Sequence, residues 1–440
     1  MKTKILMLNK YNKVYLFIFS MLLLTNNVVG QQKSTINDLF LALEKSTTTK
    51  ADALKTAQAE TYKSSINSQF YPIVEGFGRY DYSSIPAGMY PVPPNDLLPL
   101  IQNQSIAQPF SSNIYRLGGT IAMPLFVKSI FTMSEQAKKI VASAKEQEYV
   151  NTLKNQSILV SSNANLNYIE NLKMALEKKK TSLLKTQEFI NIKVNNGRAA
   201  GSTALNINTS INEVSTLLND LEIQKSDIVA SIQSLTGIVL NQAVPMEQIG
   251  MIQSGEIKIT KPLQEKISAD SLVIRAEKEK LLPSIFAQGN YSYNFAKAYN
   301  NNASINGDLT VASLVVKVPI FNKSQYVQIH KTKLDLEVSQ NELQKLNDDF
   351  AAQAQQLKQN LIVLDNSIDL YQNNIKDKEE LQKIAVLSYQ LDQMSMEDYL
   401  KYEDDLVLEK AKLYKTQSQK WQTLMKLAVI YSINIKTLVQ

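Results

Sequence analysis

One junction occurs twice in this chain, and it limits the possible folds more than any other feature. Val318-Pro319-Ile320-Phe321 separates an alternating, β-branched segment (308–318) from residues 322–391, which contain neither Gly nor Pro. Met123-Pro124-Leu125-Phe126 likewise precedes a Gly- and Pro-free run over 128–196. The two prolines are 195 residues apart. As a helix, either run is roughly 100 Å long at about 1.5 Å per residue. No compact domain holds such a rod, so the long helices must run along each other or along something else.

The apolar pattern agrees with helix. Ile169, Leu176, Leu183 and Ile190 recur every seven residues. In the second run Ile329, Leu336, Leu343, Phe350, Leu357, Leu364 and Tyr371 keep the same spacing. Ala354, Leu361, Ile368 and Ile375 follow the later members at four residues. Such stripes pack helices lengthwise with a left-handed supercoil.

In chain order, residues 35–69 predict one helix, with Leu39, Leu43, Ala53, Leu54 and Ala57 apolar, ended by Tyr71-Pro72. Residues 74–83 alternate, with Val74, Tyr80 and Tyr82 against Glu75, Arg79 and Asp81, and Phe77 as the exception. Period two predicts a strand with unlike faces. The six prolines within 86–109 predict a loop. Residues 113–123 form a second strand, weakened by Gly118-Gly119. After the first long helix, Asn195-Asn196-Gly197 makes a turn, and Gly201-Ser202 opens the next helix with Ser202 as cap. That helix ends at Gly237, and 241–262 is a polar, irregular connector.

The order then repeats: helix over 266–281, Leu282-Pro283, strand over 285–295, a turn at Asn300-Asn301-Asn302, strand over 308–318, long helix, a break over 391–395, and a last helix from Met396. At an offset of 195, Ile169 falls on Leu364, Gly197 on Asp392, Leu205 on Leu400 and Gly237 on Ser432. Earlier the offset is 211, Pro72 to Pro283, because the first strand pair carries the longer loop. Two copies of one unit are expected, 31–240 and 263–440, within a single structural domain spanning 31–440.

Residues 1–30 read as a secretory signal peptide: Lys2, Lys4, Lys10 and Lys13, then an apolar core over 14–24 and a cut near Gln31. The alternative, a membrane anchor, is disfavoured because the apolar run is short for a bilayer. Without that segment, 43 basic residues face 41 acidic ones, a net of +2. This balance gives no reason to expect a nucleic-acid partner. The chain has no cysteine, which excludes disulfides and a lipid-modified N-terminal Cys. No later apolar run approaches a membrane-spanning helix, so a lipid-embedded part would have to be a closed β-barrel. Four strands do not close one, because single-chain membrane barrels need about eight. Further copies must complete it, and three copies would supply twelve strands.

The pieces Tyr71-Pro72 and Leu282-Pro283, Pro124-Leu125-Phe126 and Pro319-Ile320-Phe321, 197–205 and 389–400, in this duplicated order, resemble the outer-membrane efflux protein family (TolC-like) over about residues 35–438. The resemblance implies a mainly α fold with a small β part: a trimeric outer-membrane barrel, four strands per chain, continued by a long periplasmic α-helical barrel. It implies a homotrimer in outer-membrane lipid, a passive exit duct for tripartite efflux or type I secretion. Such a duct is opened by docking to a periplasmic adaptor and an inner-membrane pump. The family's tip motif is similar to Tyr-x-x-Gly, then Ser or Thr, then Asp-Val-Leu. The first copy keeps Gly197 and Leu205 but has Thr203 at the acidic position; the second keeps Tyr389, Asp398 and Leu400 but has Asp392 for the Gly. By this resemblance Asp398 is the gate acid, assisted by Glu397, with Asp392 nearby and Lys401 in place of a second acid. Asn195, Asn196, Gly197, Arg198, Gly201, Ser202, Gln393 and Ser395 form the adaptor-docking tip.

No phosphate loop, HExxH or GxSxG motif is present, and no enzyme or cofactor is expected. The one histidine, His330, reads as a surface residue. Glu403-Asp404-Asp405 reads as a solvated helix face rather than a cation site, and Met394 and Met396 as packing rather than soft-metal ligands. Arg79, Arg116 and Lys317 line a lumen or form a salt-bridged barrel wall. A non-pore periplasmic coiled-coil scaffold is the alternative function, but a scaffold has no use for four two-faced strands.

Overall fold

The computed structural model describes residues 35–253 and 255–440, so the signal-peptide expectation for 1–30 lies outside it. The fold is mostly helical with one four-stranded antiparallel sheet. In chain order the elements are α1 (Ile36–Glu44), α2 (Thr47–Ser68), β1 (Ile73–Gly88), α3 (Pro94–Gln102) and β2 (Phe110–Phe126). Next come α4 (Lys128–Asn195), α5 (Gly201–Thr236), α6 (Lys261–Glu279), β3 (Ser284–Lys297) and β4 (Ser304–Lys317). The chain closes with α7 (Lys323–Gln390), α8 (Met396–Ile430) and a 3-10 turn (Ile435–Thr437).

The long helices α4 and α7 are both 68 residues, and their ends fall 195 residues apart. The seven-residue stripe of α4 is buried: Ile169, Leu176, Leu183 and Ile190 pack against Ile207, Val214 and Leu221 of α5, also spaced by seven. Heptad spacing on both partners is what lets the contact continue along the rod. The second core lies midway, where both ends of the described chain converge. Ile36, Leu39, Phe40 and Leu43 of α1 meet Leu159 and Leu166 of α4, Met425 of α8, and Leu438 and Val439 near the C-terminus. There Gln248 bridges Val439, and the buried Asn163 amide pairs with both backbone groups of Val244 at 2.7 and 2.9 Å.

Several expectations need correction. The helix over 35–69 is two helices, because Ser46 caps α2 by accepting from Thr49 N–H while Thr49 donates to the Leu43 carbonyl. Leu54 is 66% exposed and Ala53 and Ala57 are exposed as well, so of the expected apolar positions only those of α1 are core, while α2 buries Asp52, Thr56 and Ile66 instead. The expected loop over 86–109 contains the end of β1 and the helix α3, with Pro94 in its first turn. The connector, expected to be polar, is docked on the core through Val244, Met246, Ile252 and Ile259, and α6 starts at Lys261 within it.

The strands lie side by side in chain order, β1-β2-β3-β4, with α4, α5 and α6 inserted between β2 and β3, so β1 and β4 each present an unpaired edge. Its register puts Tyr80, Tyr115 and Phe295 side by side, and Tyr291 and Tyr293 on the same face. The Tyr115 and Phe295 rings stack at 5.3 Å, and Tyr80 lies 5.0 Å from Tyr115. Tyr291, Tyr293 and Phe295 are 49%, 42% and 37% exposed, while Ser292, Asn294 and Ala296 between them are at most 9%. The opposite face carries Arg79, Asp81, Arg116, Gln288, Asn294 and Lys317. There Asp81 accepts from Arg79 at 2.9 Å and Arg116 at 2.8 Å, and Lys317 sits 5.1 Å over the Phe286 ring. Phe77, out of pattern in sequence, lies on this polar face over Gly118, where a Cβ would come 2.9 Å from its ring.

A spin label at Tyr293 in reconstituted protein is expected to be oxygen-accessible, and one at Gln288 accessible to an aqueous quencher. The reverse pattern contradicts the assignment of the aromatic face to lipid.

Candidate functional site

The two long helices end in the same turn. After α4, Gly197 takes φ +66°, its N–H donates to the Val194 carbonyl, and Arg198 N–H reaches the Lys193 carbonyl at 2.8 Å. After α7, Asp392 takes φ +58°, and Gln393 N–H reaches the Ser388 carbonyl at 2.8 Å. These are matching helix C-caps with a left-handed residue. Glycine adopts that conformation freely, whereas aspartate does so at a cost of about 1 kcal/mol. The substitution of Asp392 for Gly therefore leaves the turn intact.

The following helices start differently. Ser395 caps α8: Asp398 N–H donates to its hydroxyl at 3.1 Å, and the hydroxyl donates to the Asp398 carboxylate at 2.6 Å. Glu397 and Asp398 both lie in the first turn, where a helix favours negative charge. At α5 the cap position is Ala200, not Ser202, and it makes no side-chain bond. The left-handed turn at Gly197 starts the helix at Gly201, so Ser202 is already inside it.

All twelve candidate residues lie at these tips and are exposed: Asn195, Asn196, Gly197, Arg198, Gly201, Ser202, Asp392, Gln393, Ser395, Glu397, Asp398 and Lys401. The tips are joined by an ion pair between Lys193 and Asp392. The Lys193 ammonium also lies 4.6 Å over the Phe189 ring. Arg198 and Lys401 remain at the surface.

Behind the tip is a buried polar clasp that the sequence reading missed. Tyr399 of α8 is 1% exposed and stacks on Tyr389 of α7 at 5.2 Å. Its hydroxyl lies 3.1 Å from both Ser182 and Thr186 of α4 and donates to Glu403 at 3.0 Å. The same Glu403 oxygen accepts from Ser182 at 2.7 Å and from Gln382 of α7 at 2.8 Å. One carboxylate thus ties together α4, α7 and α8. Burial, and then the neighbouring Glu403 charge, push the Tyr399 hydroxyl up to about 12.

Glu403-Asp404-Asp405 is therefore a solvated acidic face only in part, with the Asp404 and Asp405 side chains 62% and 44% exposed. Glu403 is 2% exposed, Asp404 pairs with Lys179, and Asp405 lies 3.7 Å from Lys378. Among the described residues no group of three or more His, Cys, Asp or Glu is placed to hold a metal ion. The available signal for the clasp was the four-residue spacing of Tyr399 and Glu403, which puts both on one helix face.

No family model matches the chain, and no curated protein matches it. Solved structures do. The chain superposes on CusC with a TM-score of 0.74 at 14% identity, covering 91% of this chain and 92% of that one. The CmeC outer membrane channel of Campylobacter jejuni gives 0.73 at 14% identity, covering 90% and 85%. VceC, an outer membrane protein of Vibrio cholerae, gives 0.73 at 11% identity, covering 90% and 96%. The fold is thus that of the TolC-like outer-membrane efflux channels.

Tyr399→Phe keeps the ring but removes a hydroxyl shared with Ser182, Thr186 and Glu403. It is expected to lower stability by about 1–3 kcal/mol in urea unfolding. The wild type should also lose stability between pH 10 and 12. The folded pKa is raised, so the contribution is whole below the unfolded value near 10 and is gone above 12, on the order of 2 kcal/mol. A Tyr399→Phe protein that shows the same alkaline loss would remove Tyr399 as its source.

Proposed function

We propose that the chain is one subunit of a homotrimeric exit duct in the outer membrane, serving tripartite efflux or type I secretion. The observation that carries this reading is the sheet: an exposed aromatic face, a polar face behind it, and two unpaired edges. Lipid satisfies no backbone hydrogen bond, so an open sheet embedded there needs partners at both edges. Three copies joined β4 to β1 give a closed twelve-stranded barrel. The helices extend this barrel as a tube into the periplasm. Exposed apolar residues on α7, including Ile362, Val363, Leu370, Ile384 and Leu387, provide faces for the neighbouring subunits. The likeness in fold to outer-membrane channels supports the same reading.

The duct is passive. It opens when a periplasmic adaptor, linked to an inner-membrane pump, docks on the tip turns around Asn195–Ser202 and 391–395. Threefold symmetry brings three Asp398 carboxylates near one axis, with Glu397 adjacent, and their field favours cations. Ser395 orients Asp398 by its two hydrogen bonds, so its place in the cap and its role at the gate are compatible. The Lys193–Asp392 pair and the Tyr399–Glu403 clasp hold the helices of the closed tip, and opening requires them to part.

Light scattering in mild detergent is expected to give a trimer; a folded monomer contradicts the architecture. In planar bilayers Asp398→Asn should reduce cation selectivity and block by multivalent cations. Unchanged selectivity would reject the gate assignment while leaving the duct.

A further inference from the structure

The loop between β1 and β2, the longer loop of the first strand pair, does not stand away from the sheet. Between the pairs Tyr82–Asn113 and Ala87–Ser111 the register shifts, so residues 83–86 of β1 oppose residue 112 alone. A bulge of this kind, here containing Pro86, bends a hairpin sharply. The bend carries Met89 and Tyr90 over the polar face. Met89 is fully buried against Ile114 and Ala296, with Tyr90 and Ile305 packed beside it.

Two contacts hold this strap. Arg116, in the centre of the polar face, donates to the Met89 carbonyl at 2.8 Å as well as to Asp81 at 2.8 Å and Asn294 at 3.0 Å. At Gly307 of β4, a Cβ would lie 2.5 Å from the Tyr90 ring, so the missing side chain leaves the space in which that ring lies. The far end of the loop is tied to the β3–β4 turn. Asn300 donates to the carbonyls of Gln104 at 3.0 Å and Ile106 at 2.8 Å, and Asn301 donates to Ser105 at 3.0 Å. The loop thus crosses the sheet from β1 to β4 on one side only.

We propose that this strap is a constriction inside the outer mouth of the duct, and that Tyr90 sets the size of solute it passes. The proposal rests on the duct reading, in which the polar face lines the lumen. Three straps then project toward one axis, each anchored by its Arg116. The barrel interior at this level is narrowed by protein rather than filled with water, and bulky solutes outside are held back.

The chain has no cysteine, so the Tyr90→Cys variant carries a single thiol. It would be labelled with a bulky cationic thiol reagent, checked by mass, and reconstituted in planar bilayers beside its unlabelled form and the wild type. Tyr90→Ala would be measured in parallel, with the labelled Tyr299→Cys variant as control. Tyr90→Ala is expected to raise single-channel conductance about twofold, and labelling of the Tyr90→Cys variant to lower it about as much relative to its unlabelled form. The labelled Tyr299→Cys variant, at a position 66% exposed in the β3–β4 turn, should conduct as before. If wild type conducts while the Tyr90→Ala and labelled Tyr90→Cys channels match it, the strap is no constriction and the duct reading stands. The same channels are compared in the Lys193→Ala background, which breaks the ion pair of the closed tip; if no channel forms there either, the duct reading fails and the constriction fails with it.

Discussion

A 68-residue helix in a folded protein draws most of its stability from packing an amphipathic face rather than from propensity, so its long apolar stripe has to be covered. Here the seam along α4 covers it. Ile169, Leu176, Leu183 and Ile190 meet Ile207, Val214 and Leu221, and the same core continues into Ala385, Tyr389 and Tyr399. Seven-residue spacing on each partner keeps the contact facing inward over many turns, and the rod becomes a packed bundle. The position of the tips and of the sheet at opposite ends of this bundle depends on that seam.

Because packing along the rod is apolar and repetitive, it says little about axial registry. Polar contacts add that information at three levels. Near the tip, Lys193 meets Asp392, and Glu403 collects Tyr399, Ser182 and Gln382. Lower down, Glu409 is held below the usual carboxylate range: burial raises it, but the Asn374 amide and nearby lysines more than offset this. At the midpoint, Asn163 reads both backbone groups of Val244. A buried carboxylate satisfied by three donors is stable where it is, yet costly to expose half-paired. A joint of that kind favours two discrete arrangements over a continuous slide.

The sheet obeys a different constraint. Its aromatic face and its arginine-rich face are separated by alternation, with Phe77 on the polar side and Asp308 beside Tyr293 as exceptions, and its edges are left unpaired. Gly118 and Gly307 are placed where the Phe77 and Tyr90 rings approach the sheet backbone. Gly118 weakens the strand signal in the sequence for the same reason that the structure uses it: a missing side chain lowers β propensity and admits a close neighbour.

Much of the fold was legible in the residues. The helix limits around Pro124 and Pro319, the heptad stripes, the four alternating strands and the tip turns all follow from local spacing and from breakers. Each is decided by a few neighbouring residues. The break at Ser46, the cap at Ala200 and the helix within 86–109 differ from the sequence expectation because the Ser46–Thr49 bond, the left-handed turn at Gly197 and Pro94 in the first turn of α3 set those helix starts. Of the clasp only the four-residue spacing of Tyr399 and Glu403 was legible, since Ser182, Thr186 and Gln382 are ordinary polar residues on other helices. For the strap, nothing in the spacing of Met89, Arg116 and Gly307 says that they touch. Sequence alone determined the elements, their faces and their order, because periodicity and turn chemistry act over a few residues. Only the tertiary structure decided which polar groups meet and which way the long loop folds. Those outcomes depend on burial that no local stretch of the chain can provide.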